Sequence, residues 1–339
     1  MRKQLGILVA GLLYYSGLVG VSRWLMQRSG KRLIILNYHH ASGGHLAHHL
    51  LYLRRHYRMM HLDEALAELY QPDERQSSKD RRTPLVLTFD DGYRDNYTHA
   101  FALARKLQVP ITVFLIPSYL DSDRTFWWRE GVEIIQEATV AEVVFEERTY
   151  HLQDPGDCAL LEQAIDTRLR QAPTVAEREA ALEEFRCLLA APQTPLPSDH
   201  RDRILTWAEA IEMQESGWVS FGAHTMHHPI LANLTNPEEV RNEVIECRRV
   251  LEQRLSRPVR SFAYPVGGKE HISDHAVQAV KDAGYSWAVT TFHGVDTPQS
   301  DPYMLGRVLG DVSRHWLVMA AETSGIWRVL STLWKGRRR

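Results

Sequence analysis

The chain has 339 residues, 44% of them hydrophobic, enough for one large domain or two smaller ones. A formal net charge of -2 excludes a broad basic field, so no nucleic-acid partner is expected. Cys158, Cys187 and Cys247 lie far apart and outside any CxxC spacing, which excludes a disulfide framework and a zinc knuckle.

Residues 1–32 read as a segment apart from the globular domain. Arg2 and Lys3 precede an uncharged run over 5–21 (LGILVAGLLYYSGLVGV), and Arg23, Arg28, Lys31 and Arg32 follow it. No small-residue cleavage site follows, which argues against a removed signal peptide. At ~1.5 Å rise per residue the run is barely long enough to span a bilayer. A single membrane anchor, a helix in the membrane interface and a buried N-terminal helix all fit it. The flanking charges lean toward a cytoplasmic catalytic domain by the positive-inside rule.

Residues 33–37 (LIILN) read as a strand that exits into Tyr38, His39 and His40. A helix follows with His45, His48 and His49 near its start, and these three read as surface residues. A second helix is expected over 53–66 and a polar loop over 71–82. Residues 85–89 (LVLTF) read as a buried strand delivering Asp90, Asp91 and Gly92. Then come a helix over 96–107, with Ala100, Phe101, Ala104 and Leu107 on one face, and a strand over 111–116 (ITVFLI). Strand, helix and strand in alternation imply parallel strands joined by crossover helices, an α/β fold.

Residues 127–205 break this rhythm. A hairpin is expected over 141–152 around Glu146-Glu147-Arg148. Polar helices are expected over 158–171 and 175–189, and a loop at Pro192, Pro195 and Pro197. This insertion, about 129–205, reads as a lid, a partner surface or an elaboration of one face of the core. The rhythm resumes with a helix over 207–215 and a strand over 218–222, which exits into His224-Thr225-Met226-His227-His228-Pro229. A long helix over 236–255 carries a stripe of Val240, Val244, Cys247, Leu251 and Leu255. A strand over 260–264 exits at Tyr264-Pro265-Val266-Gly267, a helix covers 274–283, and a strand over 287–291 exits at His293. A last short strand, 304–308, surrounds Arg307. Residues 33–315 are thus expected to form one domain, the candidate catalytic one. The tail 316–339, with Trp316, Trp327, Trp334 and a basic end, reads as a second interfacial anchor.

The candidate polar groups share one placement: each follows the C-terminal end of an apolar strand. This holds for His39, Asp90, Asp91, His224, His228, the Pro265 loop and His293. In a barrel of alternating strands and helices, that is the face where active sites form. Two adjacent aspartates there are costly as structure alone, because a buried unpaired charge is expensive. On that stretch alone they read equally as a helix-capping aspartate beside a solvated neighbour and as a metal ligand beside a general base. His224 and His228, four residues apart, place two imidazoles on one side of a turn. With an aspartate from another strand they form a two-histidine, one-carboxylate set that leaves metal positions open. The same set serves non-haem iron oxygenases, so ligand type alone does not fix the metal.

LTFDDGY, HTMHHP and FAYPVGG, in this order and at these separations, make the chain resemble the polysaccharide deacetylases, metal-dependent carbohydrate esterases of bacteria and fungi. ILNYHH, VPITVFLIP, Trp127-Trp128, AGYSWAVTT and DPYMLGRV are smaller echoes. The resemblance covers about 33–308, with the insertion as its loosest part. It implies a distorted (β/α) barrel, usually of seven strands, carrying a helical insertion. It also implies removal of N-acetyl groups from the amino sugars of a polysaccharide or lipid-linked glycan, at the bacterial cell envelope. By the same resemblance Asp91, His224 and His228 hold a zinc-like divalent ion. Asp90 is the base that activates the attacking water, and the Tyr264 backbone N–H helps stabilise the oxyanion.

The chain departs from the family pattern at two points. Many members carry Leu-x-His where this chain has Leu305-Gly306-Arg307, and an arginine cannot be the proton donor. Many also carry an arginine beside the proline loop that tethers the catalytic aspartate, where this chain reads Phe262-Ala263-Tyr264-Pro265. Arg307 is therefore expected to tether Asp90, and His39, His40 or His293 to supply the acid. A branch acting on exopolysaccharide shares this pattern. A metal-dependent amidase or esterase for another substrate would use the same site. A glycan-binding component that merely keeps the fold would need neither Asp90 nor the full ligand set.

Overall fold

The computed structural model describes residues 2–71, 80–192 and 203–327. Most of the expected 71–82 loop, Pro195, Pro197, Trp334 and the basic tail lie outside these residues. The chain begins with helices α1 (Arg2–Tyr15) and α2 (Leu18–Arg28), then strand β1 (Ile34–Tyr38), α3 (Leu46–His56), β2 (Arg58–Met59), α4 (Leu62–Tyr70) and β3 (Pro84–Phe89). A π-helical turn, Asn96–Phe101, runs into α5 (Ala102–Leu107), and β4 (Ile111–Leu115) follows. The inserted region holds α6 (Trp127–Gln136), the hairpin β5 (Glu142–Phe145) and β6 (Arg148–His151), α7 (Pro155–Arg170) and α8 (Val175–Leu188). The barrel is completed by α9 (Trp207–Glu215), β7 (Val219–Ala223), α10 (Pro237–Leu255), β8 (Ser261–Ala263), α11 (Asp274–Asp282), β9 (Trp287–Val289) and β10 (Val308–Leu309). Helix α12 (Trp316–Thr323) ends the description.

The main sheet is parallel and runs β10-β1-β3-β4-β7-β8-β9, with β2 beside the start of β3. It curls until its ends meet. The stave that pairs Val308 with Leu36 of β1 also bridges Leu305 to Val289 of β9. The result is the expected seven-stave (β/α) barrel. Side chains alternate across it, as the two-residue period of a strand requires. Ile34, Leu36, Tyr38, Leu85, Leu87, Phe89, Val113, Leu115, Phe221 and Phe262 belong to the core shared with the surrounding helices. Ile35, Val86, Phe114, Ala263, Val289 and Leu305 form the barrel interior together with Leu62, Ala65, Leu66 and Leu69 of α4. Helix α4 therefore plugs the N-terminal end. Gly222 is needed on β7, because a Cβ there would lie 2.4 Å from the Phe114 ring.

Several expected elements shift. The helix anticipated over 53–66 is broken: Tyr57 is extended, and Arg58 and Met59 pair with Pro84 and Leu85. Helix α7 starts earlier than expected, because Asp154 caps it through the Gly156 and Asp157 amides and Pro155 occupies its first turn. His49, expected on the surface, is buried: its ring bonds the Tyr38 hydroxyl at 3.0 Å and the Arg314 carbonyl oxygen at 2.9 Å. The insertion has its own core, where Trp127, Ile134, Leu161, Ile165, Leu182 and Phe185 meet. At the other side of the barrel, α1 and α2 pack on α12 through Ala10, Val19, Leu317, Ala321 and Ile326.

Candidate active site

The Asp90-Asp91-Gly92 turn leaves β3 while its first residue still pairs, the Asp90 N–H donating to the Tyr38 carbonyl at 2.9 Å. Asp91 then turns to φ 73° and Gly92 to φ 79°. A Cβ on Gly92 would press to 2.8 Å from a Leu115 methyl, so glycine is required twice over. This break sends the two neighbouring carboxylates to different partners.

Asp90 faces inward and meets Arg307 on the closing stave. The guanidinium grips it bidentately, with Nη1 to Oδ1 and Nη2 to Oδ2 both at 2.8 Å. Arg307 also donates through Nε to the Thr290 carbonyl at 2.7 Å and through Nη1 to Thr88 Oγ1 at 3.2 Å. Both charged partners are buried. Burial alone would raise the Asp90 carboxyl, but the Arg307 guanidinium and then His224 hold it below the usual range. The expected arginine contact is thus present, reached from the closing stave, with β1 between it and β3.

Asp91, His224 and His228 converge, their ligand atoms all within 4.8 Å of one another. Asp91 Oδ1 lies 3.4 Å from His224 Nε2 and 3.6 Å from His228 Nε2. Those separations are long for hydrogen bonds, and Asp91 Oδ1 is buried without a hydrogen-bond partner. Two ligands at ~2.1 Å from one tetrahedral cation sit roughly 3.4 Å apart, so the set fits a single metal ion. His224 Nδ1 donates to the Ala263 carbonyl at 2.7 Å, which turns the Nε2 lone pair toward Asp91. Burial pushes His228 down to about 3, so it stays neutral and able to ligate. Burial also depresses His224, but the Asp91 and Asp90 carboxylates outweigh it and raise that ring.

The His224–His228 turn is not helical. Thr225 (φ 61°) and His228 (φ 55°) are both left-handed, a conformation that persists only where the surroundings enforce it. The Thr225 hydroxyl accepts from the His228 N–H at 2.9 Å. Glu243 of α10 is buried and accepts from the His227 N–H at 2.8 Å and pairs with its ring at 2.6 Å. The inserted region supplies the remaining hold. Trp127 Nε1 donates to the His228 carbonyl at 3.0 Å, and Arg178 of α8 donates to the His227 carbonyl at 3.0 Å. Arg178 is almost fully buried.

A cleft of about 480 Å³ opens over these groups, within the range of small-molecule sites. His39, His40, Tyr93, Trp128, Arg170 and Val266 are among the residues around it. His39 is exposed there, and its carbonyl accepts from Asn96 at 2.9 Å. His40 stacks on Tyr93 at 4.0 Å and approaches Asp95 to 3.5 Å. His293 is not among the residues that line the cleft. Tyr264 requires a correction. Its N–H donates to the Val289 carbonyl at 3.2 Å and its hydroxyl to the Tyr303 carbonyl at 3.2 Å, so the expected oxyanion donor is already engaged in the barrel wall.

Arg178, Glu243, Tyr93, Asp95 and Arg170 went unmarked in the sequence. Glu243 lies between Val240 and Val244 of the buried stripe, and a carboxylate inside an apolar stripe is a signal that could have flagged it.

A closed parallel barrel with a cation-ready triad beside an arginine-bound carboxylate, all at the strand ends, belongs to the barrel hydrolases. The polysaccharide deacetylase family model matches residues 77–288, and the chain belongs to that family. It is accordingly a hydrolase that acts on carbon–nitrogen bonds of N-acetylated glycans. YxkH of Bacillus subtilis (strain 168), named for the same family, is 21% identical over 296 residues, covering 85% of this chain and 74% of that protein. The structure of IcaB from Ammonifex degensii superposes with a TM-score of 0.55 at 19% identity, covering 87% of this chain and 98% of that one. The Streptococcus pyogenes deacetylase PplD gives 0.53 at 16% identity, covering 86% and 99%. At these identities the two structures speak to the fold.

Proposed function

We propose that the protein removes N-acetyl groups from an exopolysaccharide built of N-acetylated amino sugars, using one divalent cation, zinc by preference, held by Asp91, His224 and His228. The observation that carries this reading is the pairing of two differently treated carboxylates: Asp90 gripped by Arg307, and Asp91 left with an unpartnered buried oxygen between two imidazoles. A bound cation would supply Lewis acidity toward the acetamide carbonyl and acidify water in its reach.

The chain's own groups divide the remaining work. Asp90 accepts the proton of the attacking water, and Arg307 fixes both of its oxygens so that it points into the cleft. His39, exposed at the cleft, delivers a proton to the nitrogen as it leaves, giving acetate and a free amine. Neither His40, engaged with Asp95 and Tyr93, nor His293, outside the cleft, is as well placed.

The test is acetate release from N-acetylglucosamine oligomers, with and without a chelator, beside Asp90→Asn. Release should vanish with chelator, return on adding zinc, and fall by about 10²–10⁴ in Asp90→Asn while metal content is kept. Chelator-insensitive release would sink the metal assignment. Full activity in Asp90→Asn would sink the role of the base.

A further inference from the structure

The first acidic residue of the chain is Asp63; before it stand nine lysines and arginines. Within this acid-free stretch, α1 and α2 each have a face bound to the domain and a face left open. The bound faces are Ala10 and Val19 against α12, Tyr14 edge-on to Trp316 at 5.1 Å, and Ser22, whose hydroxyl donates to the Ser324 carbonyl at 2.8 Å. The open face of α1 carries Leu5, Leu8, Leu12 and Tyr15, spaced at helical repeats, with Leu12 72% and Tyr15 78% exposed. The open face of α2 continues it with Leu18, Val21, Trp24 and Leu25. Such a contiguous apolar stripe is uncommon on a surface that meets only water.

Among the described residues no single helix is long and apolar enough to cross a membrane, and α1 and α2 are bent by 69° at Gly17. Straightening them into a span would strip Ala10, Val19 and Ser22 from α12. The docked, bent pair suits the plane of an interface instead.

Where the stripe ends, a basic cavity begins. Trp24 and Gln27 border it, and Arg28, Lys31, Arg32, Arg58, Arg81 and Arg82 line it. Among the described residues Asp80 is the one acidic residue in that lining, where Arg82 pairs with it at 2.7 Å, and Arg58 pairs with Glu68 outside it. Arg28 lies over the Trp24 ring at 4.1 Å, joining the charged and apolar parts. The neighbouring charges match an anionic headgroup, and the stripe matches the acyl boundary beside it.

We propose, beyond the catalytic reading and independently of it, that α1 and α2 lay the protein on an anionic phospholipid bilayer. Their outward stripe enters the interface and the basic cavity takes a lipid phosphate headgroup. The full chain, purified in detergent and mixed with vesicles, tests this by flotation. Binding to phosphatidylglycerol-containing vesicles should exceed binding to pure phosphatidylcholine by at least ten-fold and weaken as salt rises. Lys31→Glu with Arg32→Glu should remove most of that preference, and Leu8→Asp with Leu12→Asp should abolish binding to both vesicles. Both pairs should still release acetate from soluble oligomers, which separates failure here from failure of the catalytic reading. Equal binding to both vesicles that survives alkaline carbonate would mean a transmembrane span and overturn the proposal. Self-association without flotation would overturn it too, giving the stripe to a second copy. So would saturation by inorganic phosphate without vesicle binding.

Discussion

The two ends of the barrel are made by the same alternating strands, yet they treat a buried carboxyl group in opposite ways. At the N-terminal end, Asp296 lies beside Leu33, before β1, and accepts from the Gly306 N–H at 3.1 Å. Burial pushes it up to about 6. At the C-terminal end, Asp90 and Asp91 are buried just as deeply, and both are held below the usual carboxylate range. Burial acts in the same direction on all three. What differs is the partner: a backbone amide at one end, a guanidinium and histidines at the other. One end has been closed with α4 and apolar side chains; the other keeps ionised groups in low dielectric at the floor of the cleft.

Taking the cation away from the C-terminal end should break this contrast most. Arg307→Ala leaves Asp90 buried opposite nothing. Losing one member of a buried pair costs about 3–5 kcal/mol, read from denaturant midpoints. Acetate release should drop by roughly 10² or more, since the base loses both its contacts. Arg307→Lys keeps a charge without the fork and should recover part of the stability and less of the activity. Full activity in Arg307→Ala would mean that the tether does no positioning.

A smaller effect is expected where the insertion reaches the site. Arg178→Ala removes a donor to the His227 carbonyl and loosens a turn with two left-handed residues. Groups that orient metal ligands from behind typically contribute 10–100-fold in affinity. Competition with a chelating dye should show a loss of that size in metal binding, with the thermal midpoint of the metal-free protein lowered far less than in Arg307→Ala. Unchanged metal affinity would return the insertion to being mere elaboration.

This difference between barrel and insertion also marks what could be read from the amino acids alone. Strands that bury both faces write near-continuous apolar runs, so β1, β3, β4 and β7 were legible, and the polar residues at their exits stood out against those runs. Arg307 was legible only as a departure from the pattern of related chains; its partner lies 217 positions away. Arg178 sits in a helix of alternating glutamates and arginines and looks like any solvated charge, because what buries it is the 224–229 turn, not its own helix. The broken 53–66 helix fails for the same reason. Its pattern is helical, and only pairing of Arg58 and Met59 with β3 overrides it. The Tyr264 amide could be assigned a role from its motif, but whether it was already hydrogen-bonded depends on where β9 runs.

An effect of a different kind should come from the N-terminal end, and it has a sign that the C-terminal end would not give. Burial raises Asp296 to about 6, above the ordinary carboxylate range, so between the two the folded chain holds a proton that the unfolded chain has released. The protonated form stabilises the fold most fully below pH ~4. That contribution falls as pH rises through ~6 and stays lost above it, a change on the order of 2–3 kcal/mol. Asp296→Asn removes the titration while keeping an oxygen for the Gly306 amide. Denaturant midpoints of the metal-free proteins, compared at pH 4.5 and 7.5, should show the variant gaining on the natural chain as pH rises. Other titrating groups are common to both proteins and cancel in that difference. A difference that stays constant with pH would mean that Asp296 finds a compensating charge, and the contrast between the two ends would then rest on apolar packing alone.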